Sequence, residues 1–178
     1  MNEKLSMEEL QRIDVATFKQ SEKMPLVVIL DNVRSMNNVG SVFRTCDAFR
    51  IAHIYLCGIT AQPPHKEIEK TALGATESVD WNYVECTTDL VKQLMTNNYS
   101  VYAVEQVKNS IPLTDFIPDF SRKTALIFGN EVMGVDQDVI NLCNGCIEIP
   151  QLGTKHSLNI SVSAGIVLWH LFYNFTKK

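Results

Sequence analysis

This 178-residue chain lacks the usual marks of a membrane anchor, a disulfide framework or a phosphate-binding loop. Its apolar runs are short and interrupted by polar residues, so none is long enough to cross a bilayer. The N-terminal stretch MNEKLSMEELQRIDVATFK has no apolar centre and no cleavage-like end, which argues against a secretory signal. Cysteine is scarce and odd in number: Cys46, Cys57, Cys86, Cys143 and Cys146 are dispersed, most in apolar surroundings. That pattern fits free thiols in a reducing compartment, hence a cytoplasmic protein, better than disulfides. Basic residues are not in excess, and the net charge of −4 disfavours an indiscriminate nucleic-acid binder. A local basic face remains compatible with it. Neither G-x-x-x-x-G-K-[ST] nor G-x-G-x-x-G occurs, so the common phosphate-cradling loops are missing.

What is present is an alternation of strands and helices in an ordinary globular composition, 46% hydrophobic and 20% charged. The length suits one domain with a sizeable core. PLVVIL at 25–30 and TALIFG at 124–129 read as buried strands, being short and apolar throughout. HIYLCG (53–58), SVDWNYV (78–84), YSVYAVEQ (99–106) and CIEIP (146–150) read as further strands. Helices are expected at 6–20, where Ser6 and Glu9 have capping-box spacing, and at 40–49, 65–73 and 87–98. Two more are expected at 136–145, closed by Gly145 as a C′ residue, and from about 158 to 175. Strands apolar on both faces point to an α/β fold, a mostly parallel sheet flanked by helices. Residues 1–24 read as an N-terminal helical extension and 25–178 as a single domain.

In open parallel sheets ligands bind where strands end. Three such loops carry unusual residues: DNVRSMNNVGSVFR after 25–30, GNEVMG after 124–128, and PQLGTKHSLN after 146–149. Glycine admits close backbone approach, and Asn, Ser and Glu supply orientable hydrogen bonds. Each loop also has a plain reading. Asn38 is a helix cap by residue type, Arg44 has Asp47 three positions on as an ion-pair partner, and Glu131 favours a helix N-terminus. Three such loops at three strand ends favour function. Other signals are weaker. Cys143-Asn144-Gly145-Cys146 is a lone C-x-x-C and reads as packing. The histidines His53, His65, His156 and His170 have no ligand spacing, so no metal is expected. Trp169, Phe172 and Tyr173 read as core or interface.

Taken together the loops resemble the three motifs of the SpoU (TrmH-like) RNA methyltransferases of the SPOUT class. The first is Asn38-Val39-Gly40-Ser41-Val42-Phe43-Arg44. The second is Ile127-Phe128-Gly129-Asn130-Glu131-Val132-Met133-Gly134. The third runs from Ile149-Pro150-Gln151 through Ser157-Leu158-Asn159 to Val162, and Lys70-Thr71-Ala72-Leu73-Gly74-Ala75 matches a further family segment. The likeness spans roughly 25–172. It implies transfer of a methyl group from S-adenosylmethionine to a ribose 2′-hydroxyl of tRNA or rRNA. It also implies a homodimer with sites near the subunit interface and a C-terminal deep trefoil knot. Periodicity alone would exclude a knot.

The resemblance also assigns residues. Arg44 stands at the position of the family's catalytic arginine, proposed to assist loss of the hydroxyl proton. A guanidinium ordinarily stays protonated, so the physical expectation is that Arg44 holds an RNA phosphate and polarises the hydroxyl. Asn38 and Glu131 match residues that orient it, and Ser157 and Asn159 match residues that position substrate and order the third loop. Cofactor contacts, mostly through backbone, carry over to Gly129, Ile149 and Leu158, and to Val104 and Glu105. RNA-binding candidates are Arg34, Arg44, Lys70 and Lys155, with Arg50 and Lys66 as further cations. The chain departs from better-known members in its ends and its acidic charge, which leaves the RNA target open. Two other classes stand beside the enzyme: a knotted RNA-binding protein without catalysis, and a nucleotide-dependent enzyme on a doubly wound sheet. Binding of S-adenosylmethionine, or of a dinucleotide, separates them.

Overall fold

The strand β1 (Met24–Asp31) is buried along nearly its whole length, so it needs cover on both faces and a paired strand on each side. The structure, a computed structural model describing residues 2–6 and 8–177, supplies both. The other strands are β2 (Ile51–Cys57), β3 (Trp81–Val84), β4 (Ser100–Val104), β5 (Ile111–Pro112), β6 (Thr124–Phe128) and β7 (Gly145–Glu148). They form one sheet in the order β3-β2-β1-β6-β4-β7-β5, and every pairing is parallel. The helices are α1 (Val15–Gln20), α2 (Met36–Ala48), α3 (Lys66–Ala72), α4 (Ala75–Ser78), α5 (Thr87–Thr96), α6 (Gln137–Leu142) and α7 (Ile160–Thr176).

The core lies in two layers, one on each face of the sheet. On one face Leu26, Val28 and Leu30 of β1 pack with Val42 and Phe43 of α2, Ile68 of α3 and Val167, Leu168 and Leu171 of α7. On the other, Val27 and Ile29 pack with Leu90, Val91 and Leu94 of α5 and Val139 of α6. The chain winds from β1 outward to β3 and then crosses to β6 and β4 on the other side of β1. Loops at the carboxyl ends therefore part at β1 and β6, which is where a crevice opens in such sheets.

Several boundaries differ from the sequence reading, each for a local reason. Residues 6–20 are not one helix. The reciprocal Ser6–Glu9 bonds do form, at 2.7 and 3.2 Å, but they close only a turn. Gln11 then takes a left-handed φ of 48°, and α1 starts afresh behind Asp14, whose side chain accepts from Thr17 N–H. The helix expected from residue 40 begins at Met36, because Ser35 and not Asn38 supplies the cap. Ser78, the first residue of the strand expected at 78–84, belongs to α4, and β3 begins at Trp81. The helix at 136–145 ends at Leu142, and Gly145 opens β7 instead of closing the helix. The last helix begins at Ile160, capped by Asn159. The two-residue strand β5 had no pattern to announce it.

Gly40 explains how α2 and α3 fit together. A Cβ there would fall 2.2 Å from Ile68 O and from Thr71 Oγ1, so the two helices touch backbone to backbone. Thr71 Oγ1–H also donates to Asn37 O at 3.0 Å. The K-T-A-L-G-A segment is thus the partner against which the first motif helix seats. The C-x-x-C behaves as packing: burial and the neighbouring Cys146 push the Cys143 thiol up to about 12, and its Sγ–H donates to Val139 O.

Candidate active site

The three loops meet through one chain of hydrogen bonds. Glu131, from the loop after β6, accepts the N–H of Arg34 and of Ser35, each at 2.9 Å, from the loop after β1. The same carboxylate accepts Asn38 Nδ2–H at 3.1 Å. Asn38 Oδ1 in turn accepts Asn159 Nδ2–H at 3.1 Å, from the loop after β7. Asn159 uses its own Oδ1 to cap α7, accepting Ser161 N–H at 2.9 Å and Ser161 Oγ–H at 2.6 Å. Burial pushes the Glu131 carboxyl up, but the Arg34 and Ser35 N–H groups and the Asn38 amide outweigh it and hold its pKa below the usual value. The ionised form is the one that fits these three donors.

The second loop is a closed unit. Asn130 and Gly134 exchange both backbone bonds at 2.9 Å, and Asn130 Oδ1 accepts the N–H of Val132 and Met133. Asn130 Nδ2–H reaches across to Asn32 O at 2.8 Å. Behind it stands Glu105, whose Oε2 accepts Val135 N–H at 3.0 Å. Gly134, at φ +72°, leaves room for that carboxylate; a Cβ there would lie 2.2 Å from Glu105 Oε2. Gln106 Nε2–H donates to His156 O at 2.9 Å and so ties the third loop to the end of β4.

These loops enclose a cavity of about 460 Å³. Its walls include Val104, Glu105 and Gln106 at the end of β4, Gly129 to Gly134 after β6, Ile147 to Ile149 at the end of β7, and His156 to Ile160. The size suits a cofactor, and much of the lining is loop backbone. Among the described residues its lining holds Glu105, Glu131 and Glu148 and neither Lys nor Arg. That charge suits a cationic ligand such as the sulfonium of the expected cofactor, and the residues present fit the group.

Of the residues selected from sequence, Val104, Glu105, Gly129, Glu131, Ile149, Ser157, Leu158 and Asn159 line this cavity, and Asn38 is one hydrogen bond away. Arg44 is outside it. It sits on the outer face of α2 in a stripe with Asn37, Ser41 and Ala48, while Val42, Phe43 and Cys46 are fully buried beneath. It makes no ion pair with Asp47, which instead accepts the Ser78 hydroxyl. Arg34, Lys70 and Lys155 are exposed and also outside the cavity, Lys70 lying 4.0 Å from Glu67. Glu105 does more than a backbone contact would, since its carboxylate holds the second loop. Ser35, Asn130 and Gln106 were missed. Ser35 precedes an apolar helical pattern and was findable as a cap; the partner of Gln106 lies fifty positions away and left no local signal.

A family model described as the SpoU rRNA Methylase family matches residues 25–169. The tRNA (guanosine(18)-2′-O)-methyltransferase of Thermus thermophilus is 31% identical over 147 residues, covering 81% of this chain and 72% of that protein. The crystal structure of the A. aeolicus TrmH/SpoU tRNA modifying enzyme superposes with a TM-score of 0.81 at 24% identity, over 92% of this chain and 81% of the other. An AdoMet-bound rRNA methyltransferase from Sinorhizobium meliloti gives 0.76 at 27% identity, over 85% and 56%.

Proposed function

The chain belongs to the SpoU rRNA methylase family, and on that premise we propose that it methylates a ribose 2′-hydroxyl of tRNA or rRNA with S-adenosylmethionine as donor. The observation that carries the reading is the Glu131–Asn38–Asn159 chain, which binds all three motif loops around one acidic cavity. The cofactor, when bound, supplies an electrophilic methyl group on sulfur and needs alignment more than activation. Gly129, Ile149 and Leu158 would hold it, largely through backbone, with Val104 and Glu105 at the cavity wall. Glu131 and Asn38 fix the start of α2. Arg44, exposed on that helix and in no ion pair among the described residues, holds an RNA phosphate and donates to the reacting hydroxyl. Ser157 and Asn159 order the third loop beside the target ribose. Arg34, Lys70 and Lys155 add phosphate contacts around the mouth.

The same premise supports a homodimer. Val162, Ile166, Trp169 and Tyr173 are all exposed and recur at helical spacing along α7, an apolar stripe that a second copy would cover. The crossing order of β6, β4 and β7 supports a C-terminal trefoil knot around the cofactor loops. Residues 25–178 are read as one methyltransferase domain and 1–24 as its extension. Free thiols, and the absence among the described residues of any helix long and apolar enough to cross a membrane, support a cytoplasmic setting.

The test is transfer of labelled methyl from S-adenosylmethionine to unfractionated tRNA and rRNA, followed by mapping of 2′-O-methyl positions in cells with and without the gene. A site that disappears with the gene is expected. Arg44→Ala should lose transfer by about a hundredfold or more while cofactor affinity measured by calorimetry stays within twofold. Full transfer by Arg44→Ala would remove the arginine from the mechanism. Cofactor binding without transfer to any RNA would favour the non-catalytic binding protein.

A further inference from the structure

Parallel register puts Phe128, Leu30, Leu56 and Tyr83 in one row across β6, β1, β2 and β3. In-register side chains of a parallel sheet share a face, here the face covered by α2, α3 and α7. The first three are buried, whereas Tyr83, on the edge strand, is 40% exposed. At about 4.8 Å per strand it lies roughly 10 Å from β1, whose chain leads straight into the first motif loop.

The ring is held from below. Tyr83 Oη–H donates to Gly58 O at 3.0 Å. The next residue, Ile59, is 65% exposed, and its N–H donates to Asn32 Oδ1 at 3.1 Å. Asn32 O accepts Asn130 Nδ2–H from the second motif loop. Gly58, at φ +60°, permits this approach, since a Cβ there would fall 2.1 Å from Asn32 Oδ1. Tyr83 and Ile59 are thus tied to the first and second of the three loops that build the site, yet they are exposed to solvent. Arg34, exposed and in no ion pair among the described residues, stands on the loop that follows β1.

We propose that Tyr83, with Ile59 beside it, is a stacking shelf for an unpaired RNA base that flanks the methylated nucleotide. The inference rests on the RNA methyltransferase reading. A rigid aromatic face, with an arginine on the motif loop to which it is tied, is what single-stranded RNA recognition uses. Stacking tolerates any base, so the shelf supplies affinity and register and leaves sequence choice to other contacts. Tyr83 is a positioning residue and touches none of the reacting atoms.

The test compares Tyr83→Ala, Tyr83→Leu and Tyr83→Phe on whichever unfractionated RNA, tRNA or rRNA, the wild type methylates. Tyr83→Ala and Tyr83→Leu should raise KM for RNA by about tenfold, with kcat and cofactor affinity within twofold. Tyr83→Phe, which keeps the ring, should stay near wild type. Leucine fills the apolar space and so guards against a folding defect in the alanine variant. An unchanged KM in both ring-less variants overturns the shelf. So does a Tyr83→Phe defect equal to that of Tyr83→Ala, which would assign the effect to the Gly58 tie. A wild type that methylates neither RNA overturns the underlying reading as well.

Discussion

Asn159 donates its Nδ2–H to Asn38 Oδ1 at 3.1 Å, joining positions 121 apart in the chain. Asn38 passes the contact on by donating its own Nδ2–H to Glu131. An amide side chain can accept on one side through its oxygen and donate on the other through its nitrogen while staying neutral.

Asn38→Asp therefore tests the relay better than a simple deletion. It keeps the shape and the acceptor for Asn159 but sets a second carboxylate against Glu131. Two carboxylates at that distance resist joint ionisation. Asn38→Asp is expected to melt lower than Asn38→Ala at pH 7, and the gap should close as the pH falls to about 4, where carboxylates begin to protonate. Thermal melts of both variants across that range read it directly. Equal melting at pH 7 would mean that Asn38 does not donate to Glu131.

Glu131→Gln predicts a pH dependence of definite sign. The folded pKa of Glu131 is depressed below its ordinary value. Its contribution to stability is then complete above the unfolded pKa, about 4.3, and is lost as pH falls through the folded one. Because the side chain is largely solvated the effect is modest. Glu131→Gln should melt about 2–4 °C below wild type at pH 7, and the two should converge below pH 4. A constant gap down to pH 3 would assign the loss to shape and not to charge.

How much of this could be read from the chain depends on the reach of each contact. PLVVIL and TALIFG announced themselves because central strands need apolar residues on both faces. Their adjacency, Leu30 beside Phe128, did not, since register is set by packing across the whole sheet. Glu131 and Asn159 were legible as motif residues, but their joint grip on Asn38 was not, because it spans three loops. The helix start was misjudged where Asn38 and Ser35 compete as caps; Ser35 wins, and Asn38 is thereby freed to face Glu131. The break at Gln11 escaped the helical pattern because a left-handed residue of ordinary type leaves no mark in hydropathy.

Gly40→Ala sets two effects against each other. Alanine favours a helix interior over glycine by about 1 kcal/mol. The added methyl, however, would meet the Ile68 carbonyl and the Thr71 hydroxyl at 2.2 Å. Backbone cannot swing aside as a flexible side chain can, and overpacking of this kind costs about 1–3 kcal/mol. Gly40→Ala should be destabilised in chemical denaturation and should lose methyl transfer, because the α2–α3 seam carries Arg44 and Lys70. A more stable, fully active variant would show that the two helices can part.

Trp169→Glu examines the assembly. Trp169 is 54% exposed at the middle of the α7 stripe, although it also leans on Phe49 and Phe172, at centroid distances of 5.8 and 5.9 Å. A large aromatic left half in water beside Val162, Ile166 and Tyr173 is the composition of an interface centre, where truncation or charge is most disruptive. A glutamate there would have to be buried unpaired in the dimer, whereas in a monomer it is simply solvated. Sedimentation at micromolar concentration should therefore show a dimer for the wild type and a monomer for Trp169→Glu, with the helical content of the two alike. The monomer should also transfer methyl poorly, because the proposed sites lie near the subunit interface and α2, which carries Arg44, packs against α7. A Trp169→Glu protein that sediments as the wild type does would place the subunit contact elsewhere.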